Sequence, residues 1–382
     1  MEDLFIEIKI SQAPKRPGLP CGDVVVSDRT KLGTTIIVCD GIGSGVKANI
    51  FATMCAARIK ELLKRGFSIR HAFSNVVNTM NQAPGKNLPF AAFSLTHILP
   101  DGNATILSYE MPAPILLSYG YSSLLPQQTS VLEERFIGES NCDLKNGEGL
   151  VLVSDGITQA GLGKGLTYGW EAEGLNKYIN EQFRSGIQPS TLPEGIRLRA
   201  KQLSGGKPSD DATVVLAFAR EGKRVDILTG APLDRNRDTQ VVEAFMATNG
   251  VKIVCGGTTA KILSRELKRP LKIEEEFYNP ITPPYYMIDG IDLVTEGAVT
   301  LNQLYNIWNV DREQLDKKNP VTEFYDLLKH ADQINFMIGG SINAATHDIS
   351  YKQMHILPRN KIISLLAGKL EKSGKLVSIE MM

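Results

Sequence analysis

The sequence predicts an α+β fold for residues 1–221, with packed antiparallel sheets flanked by helices, followed by a smaller α/β domain over residues 222–382. Three observations lead there. In the first part, short apolar segments bounded by turn residues follow one another, the pattern of antiparallel strands. Its strongest helical patterns come as a pair, not singly between strands. After Phe218 the polar stretch AREGKR gives way to alternating strand and helix patterns, which call for a parallel or mixed sheet with crossover helices, so the boundary falls near Gly222.

Eight strands are expected in the first part: Leu4–Ile10, Val24–Val26, Thr34–Cys39, Phe90–Ile98, Ala104–Tyr109, Ile115–Ser118, Leu150–Ser154 and Ala212–Ala219. Val46–Arg65 and Ser68–Gln82 read as helices. In the first of them Val46, Ile50, Met54, Ile59 and Leu62 recur at helical spacing, which predicts one apolar stripe laid on a sheet. Two further helices are expected at Trp170–Phe183 and Thr191–Leu203. In the second part Val225–Leu228, Thr239–Thr248, Val251–Cys255 and Thr258–Leu267 alternate strand and helix, and Asn360–Lys372 reads as a helix. NPITPPYY and LDKKNP are rich in turn residues and take no assignment.

At 382 residues the chain is long enough for two domains, and 42% apolar with 22% charged residues is the composition of a globular enzyme. Lysine plus arginine equals aspartate plus glutamate at 42 each, so no overall field draws the chain to nucleic acid or to an anionic membrane. The five cysteines form no CxxC pair, the first ten residues read neither as signal nor as anchor, and the apolar runs are strand-sized. A cytoplasmic location follows as the expectation.

Four motifs share one grammar, an aspartate at the edge of an apolar strand beside glycine or a second acid: CGDVVV with Asp23, IIVCDGIGSG with Asp40, LVLVSDGIT with Asp155, and SDDATVVLAF with Asp210 and Asp211. One Asp-Gly is an ordinary turn. Four that converge would repel one another unless cations lay between them. Hard divalent ions take carboxylate and carbonyl oxygens, and Gly41 would let a main-chain carbonyl approach.

In that order and spacing, GD…CDGIGSG…SDG…SDDATVV resembles the metal-dependent serine/threonine phosphatases of the type 2C superfamily, in the bacterial branch typified by stage II sporulation protein E. The resemblance covers about residues 1–220. It implies an αββα sandwich with two Mn²⁺ or Mg²⁺ ions at one edge of the sheets. Asp40 would bridge the ions, the Gly41 carbonyl would hold one, Asp155 and Asp210 would complete the other, Asp23 would bind directly or through water, and Asp211 would support the site. Asp40, Asp155 and Asp210 are the implied catalytic residues. The larger eukaryotic relatives carry histidine two residues after the bridging aspartate; this chain has Ile42, as the bacterial branch commonly has an apolar residue there. The substrate implied is phosphoserine or phosphothreonine of a partner protein, such as an anti-sigma-antagonist-like regulator. Hydrolysis of a small phosphoester, or a ligand-sensing module on a phosphatase scaffold, is the alternative, and a homodimer is compatible with either.

Other residues take plain readings. Arg29 reads as a turn arginine, His71 and His97 as surface or packed residues, and Cys39 as a core residue facing away from Asp40. In the second domain Gly256, Gly257, Thr258 and Thr259 lie between a strand and a helix. They suggest a site for a small anion, beside the simpler reading of a helix cap. Asp289 and Asp292 read as a turn.

Overall fold

The computed structural model describes residues 4–81, 91–132, 135–273, 286–315, 319–341 and 356–382. The chain forms two compact units, Met1–Glu221 and Gly222–Met382.

The first unit contains eleven strands among its described residues, in two antiparallel sheets. One has the order β1 (Leu4–Ala13), β11 (Ala212–Glu221), β10 (Gly149–Val153), β6 (Ile115–Ser118), β7 (Tyr121–Leu124). The other runs β2 (Asp23–Thr30), β3 (Gly33–Gly41), β4 (Ala91–Ile98), β5 (Asn103–Tyr109), β9 (Arg135–Asp143), β8 (Gln128–Leu132). The αββα layering follows from alternation along each strand. Ile36 and Val38 of β3 pack toward the first sheet with Leu152 and Val215, whereas Ile37 and Cys39 pack under helices α1 (Val46–Lys64) and α2 (Ile69–Asn81) with Ile59 and Phe73. Helices α4 (Glu171–Arg184) and α5 (Leu192–Leu203) cover the opposite face through Leu175, Ile179 and Ile196. A strand buried on both faces reads as a continuous apolar run, which is why TTIIVC shows no polar alternation.

Two expectations are corrected here. Strands β7, β8 and β9 add three to the eight expected, because YSSL, QTSVL and RFIGESNCD are too polar to signal by hydrophobicity. The stripe on α1 also packs only in its later part. Val46, Ile50 and Met54 are 56%, 49% and 55% exposed, and the buried face is built from Ala48, Ala52, Cys55 and Ala56, joined by Ile59 and Leu62 only in the later turns. Small side chains let the first turns of α1 lie close on the sheet, and the larger ones face outward.

The second unit holds a seven-stranded sheet ordered β14 (Lys272–Ile273), β15 (Tyr286–Met287), β16 (Leu293–Thr295), β13 (Val251–Cys255), β12 (Arg224–Thr229), β17 (Gln333–Ile338), β18 (Leu376–Met381). The five from β16 to β18 are parallel. Helices α6 (Asp238–Met246) and α7 (Gly257–Leu267) pack on one face, through Val242, Phe245 and Leu263. On the other lie α8 (Ala298–Ile307), α9 (Pro320–His330) and α10 (Arg359–Lys372), through Leu304, Phe324 and Leu366. The central strand comes first in the chain, and its successors spread to either side, so the connections change direction between β12 and β17. Asp289 and Gly290 form the expected turn, and Asp292 accepts a bond from the Lys252 amide at 2.7 Å. Of NPITPPYY only Tyr286 is among the described residues, and of LDKKNP Leu315, Asn319 and Pro320 are, with Asn319 capping α9 through a bond from the Val321 amide. No described helix is long and apolar enough to cross a membrane.

Candidate active site

Strand register brings the first pair of acids together. Asp23 and Asp40 are directly opposed across β2 and β3, and Asp40 shares the face of Ile36 and Val38, toward the other sheet. On that other sheet, Ser154 follows β10 and is tied to Thr213 of β11 by two hydrogen bonds of 3.1 and 3.0 Å. That link sets Asp155, the first residue of a short helix, α3 (Asp155–Thr158), beside Asp210 and Asp211. Gln12 spans the sheets, donating to the Asp23 carbonyl and to the Thr213 hydroxyl.

The glycines next to Asp23, Asp40 and Asp155 make room for neighbouring segments. A Cβ on Gly41 would lie 2.0 Å from the Ala48 carbonyl oxygen, so only glycine lets the first turn of α1 close on the end of β3. Likewise a Cβ on Gly156 would lie 2.0 Å from the Asp211 carbonyl oxygen, and one on Gly22 2.6 Å from the Asp211 carboxylate. The Asp-Gly grammar of the sequence is therefore a packing requirement at this edge.

The electrostatics are those of crowded anions. Burial, then the charges of Asp23 and Asp155, raise the Asp40 carboxyl to about 10, so without cations it holds a proton and hydrogen bonds to Asp155. Burial likewise lifts Asp23 to about 6 and raises Asp155. Both Asp23 carboxylate oxygens and Oδ2 of Asp211 are buried with no hydrogen-bond partner. Such atoms are rare in folded proteins unless something else fills them. No three His, Cys, Asp or Glu side chains among the described residues already stand as a metal-coordinating group. The chemistry of the donors nevertheless fits hard cations: oxygen only, largely buried, in part without hydrogen-bond partners, and mutually repelling.

Two residues at this edge carried no signal that singled them out. Lys15 donates its amide to Asp211 Oδ1 at 2.9 Å and sets its ammonium 3.4 Å from Asp210 Oδ1. It is brought there by β1 pairing with β11, a contact across nearly the whole unit. Gln159 donates to Asp155 Oδ2 at 2.8 Å; its i+4 spacing was the one available clue. The plain reading of His97 fits, its Nδ1 bonding the Thr35 hydroxyl at 3.0 Å, whereas Arg29 is not a turn residue: it lies within β2, stacks on Phe5 at 3.9 Å and donates to the Ile6 carbonyl.

Residues 31–220 match the family model described as Stage II sporulation protein E (SpoIIE). Among solved structures, the phosphatase domain of the cell fate determinant SpoIIE from Bacillus subtilis is 16% identical, with 58% of this chain and 95% of that chain covered and a TM-score of 0.44. The RsbU and RsbW domains of Rv1364c from Mycobacterium tuberculosis are 15% identical over 64% of this chain and 68% of that one, with a TM-score of 0.48. The SiaA-PP2C domain of Pseudomonas aeruginosa is 18% identical over 55% and 85%, with a TM-score of 0.44. No curated protein matches in sequence. The ordered acid motifs, the αββα layering and the family match all fall in the first unit, and through them this chain carries a stage II sporulation protein E domain of the type 2C phosphatase kind.

Proposed function

We propose that the first unit is a metal-dependent phosphatase that hydrolyses phosphoserine and phosphothreonine of a partner protein. The observation that carries this reading is the pair of cross-strand acids, Asp23 and Asp40, held in one buried cluster with Asp155, Asp210 and Asp211 and left partly without donors. Like charges placed directly opposite are destabilising, and a fold keeps them only where a ligand of opposite sign is worth more. Asp23, Asp40, the Gly41 carbonyl, Asp155 and Asp210 would hold two Mn²⁺ or Mg²⁺ ions, with Asp211 bracing the edge through Lys15. Ions so held supply a water of lowered pKa and positive charge against the phosphoryl oxygens.

The protein's own groups do the rest. Gln159 fixes one oxygen of Asp155, and the Lys15 amide fixes one of Asp211, so the carboxylates keep their orientation while their charge changes. The Lys15 ammonium lies beside Asp210 as mobile positive charge that an arriving phosphate can draw on. Ile42 offers no proton donor, so none of these side chains is assigned as general acid. A protein substrate is favoured over a small phosphoester by the apolar ridge of Ile42, Val46, Ile50 and Met54, each about half exposed, which starts two residues from Asp40. Five unpaired cysteines agree with a cytoplasmic setting.

The test is hydrolysis of p-nitrophenyl phosphate and of a phosphoserine peptide by the full chain with Mn²⁺, with EDTA, and as Asp40→Ala. The reading expects turnover that needs both metal and Asp40. Turnover indifferent to EDTA overturns it, as does turnover retained by the variant.

A further inference from the structure

The second unit has a site of its own. Its five parallel strands end at one edge, and the chain changes direction there between β12 and β17, where parallel sheets leave a crevice for ligands. What lies at that point is a cation. The Arg359 guanidinium sits over Gly230 so closely that a Cβ on that residue would be 2.0 Å from Nη1. Its Nη2 donates to the carbonyls of Gly339 and Ser341, both at 2.7 Å, which ties the loop after β17 to the start of α10. That accounts for one nitrogen of three. Nε is buried with no acceptor, and no carboxylate is paired with the arginine among the described residues. Burial lowers its pKa, as expected of a cation without a counter-ion.

The surroundings share that sign. Helices α7, α8 and α10 all begin at this edge, and none has a side-chain cap on its first amides. Gly256 and Gly297, which precede α7 and α8, lie against each other, with a Cβ on Gly256 only 3.8 Å from the Cα of Gly297. The Gly230 amide is held by the Thr259 hydroxyl at 2.9 Å, which joins the loop under Arg359 to the first turn of α7. In the first turn of α8 the Thr300 hydroxyl is fully buried and without a partner. Arg359 as a whole is half-buried, but a purely structural arginine would have its buried Nε saturated by the carbonyls around it or be paired with an acid, since a buried donor without a partner is costly. Here two nitrogens remain for an acceptor, beside amides that carry the positive end of helix dipoles.

We propose that the carboxyl edge of this sheet binds a small molecule through a phosphate or pyrophosphate group, with Arg359 as its counter-ion and the first turn of α7 as its second contact. The glycine pair after β13 then serves as the surface on which the anion lies, and not as a turn alone. The test is calorimetric titration of the full chain with inorganic pyrophosphate in EDTA, which keeps the carboxylate cluster of the first unit from attracting anions. Wild type should bind saturably. Arg359→Gln should weaken binding at least tenfold and Arg359→Lys less. Thr258→Glu, an exposed position where an acidic side chain suits a helix start, should weaken it at least tenfold with the fold intact, which covers the case in which Arg359→Gln fails to fold. Asp40→Ala should bind like wild type. Absence of saturable binding in wild type overturns the proposal, as does equal binding by Thr258→Glu or by a folded Arg359→Gln.

Discussion

The two units each gather uncompensated charge at a sheet edge, with opposite sign and by different means. In the first, five aspartates from four separate motifs are pressed together, and glycines let backbone close around them to within contact distance. In the second, one arginine stands among glycine loops and uncapped helix starts, and Gly257 has nothing within 4 Å of where a Cβ would be. The first edge is tight and negative, the second open and positive. A protein can hold unlike ligands with similar layers of strand and helix, and the sign of what is left unsatisfied tells which.

The largest expected effect is chemical. Asp40→Asn should lower metal-dependent turnover by roughly a thousandfold, the scale of several kcal/mol of lost charge stabilisation. The same change should raise the melting temperature of the metal-free chain near pH 7, because folding then no longer requires the proton uptake that a carboxyl raised to about 10 demands. Differential scanning fluorimetry in EDTA reads that rise, and a fall would mean that Asp40 is a structural acid.

Next comes packing. Gly41→Ala should cost about 3 kcal/mol by overpacking and lower the first melting transition by roughly 6–12 °C. Gly257→Ala should change stability by less than about 0.5 kcal/mol, as at other unencumbered surface positions. Equal effects would erase the contrast between a tight and an open edge.

Third is pH. The folded carboxyls of Asp40, near 10, and Asp23, near 6, both lie above their ordinary value of about 4. The folded state therefore holds protons that the unfolded chain releases. The stability this gives is complete below pH about 4 and is lost as pH rises through 6 toward 10. The metal-free chain should melt lower at pH 9 than at pH 6, with Mn²⁺ restoring more at pH 9. A flat profile in EDTA would count against the crowded cluster.

Smallest is Lys15→Ala. Its ammonium is over a third exposed, so the pair with Asp210 should be worth less than about 1 kcal/mol in a metal-free melt. A larger loss would make Lys15 a structural keystone of the edge.

Much of the first site was legible because its acids are strand-end residues next to apolar runs, and strand pairing then does the gathering. The layering of the sheets was legible for the same reason: TTIIVC is apolar on both faces. What stayed hidden depended on contacts far apart in the chain or on side-chain size. Nothing local marks Lys15, which reaches Asp210 only through the pairing of β1 with β11. The spacing of Val46, Ile50 and Met54 is helical whichever face packs, and periodicity cannot tell that alanines lie inward when the sheet demands close approach. In the second unit, Gly256 to Thr259 drew notice as a strand-to-helix turn, but Arg359 lies about a hundred residues later with no motif around it.

The ten-residue pairing of β1 with β11, from Leu4 opposite Glu221 to Ala13 opposite Ala212, also sets a timetable. The strand that positions Lys15 emerges early in synthesis, and its partner, with Asp210 and Asp211 at its head, is made some two hundred residues later. A loop of that length closes late, and contacts so distant in sequence slow folding. At translation rates of about 5–20 residues per second, the nascent chain spends on the order of ten seconds or more with β1 unpaired. Throughout that interval the cluster lacks Asp210 and Asp211, so the carboxylates come into being as a unit only once the first unit is whole.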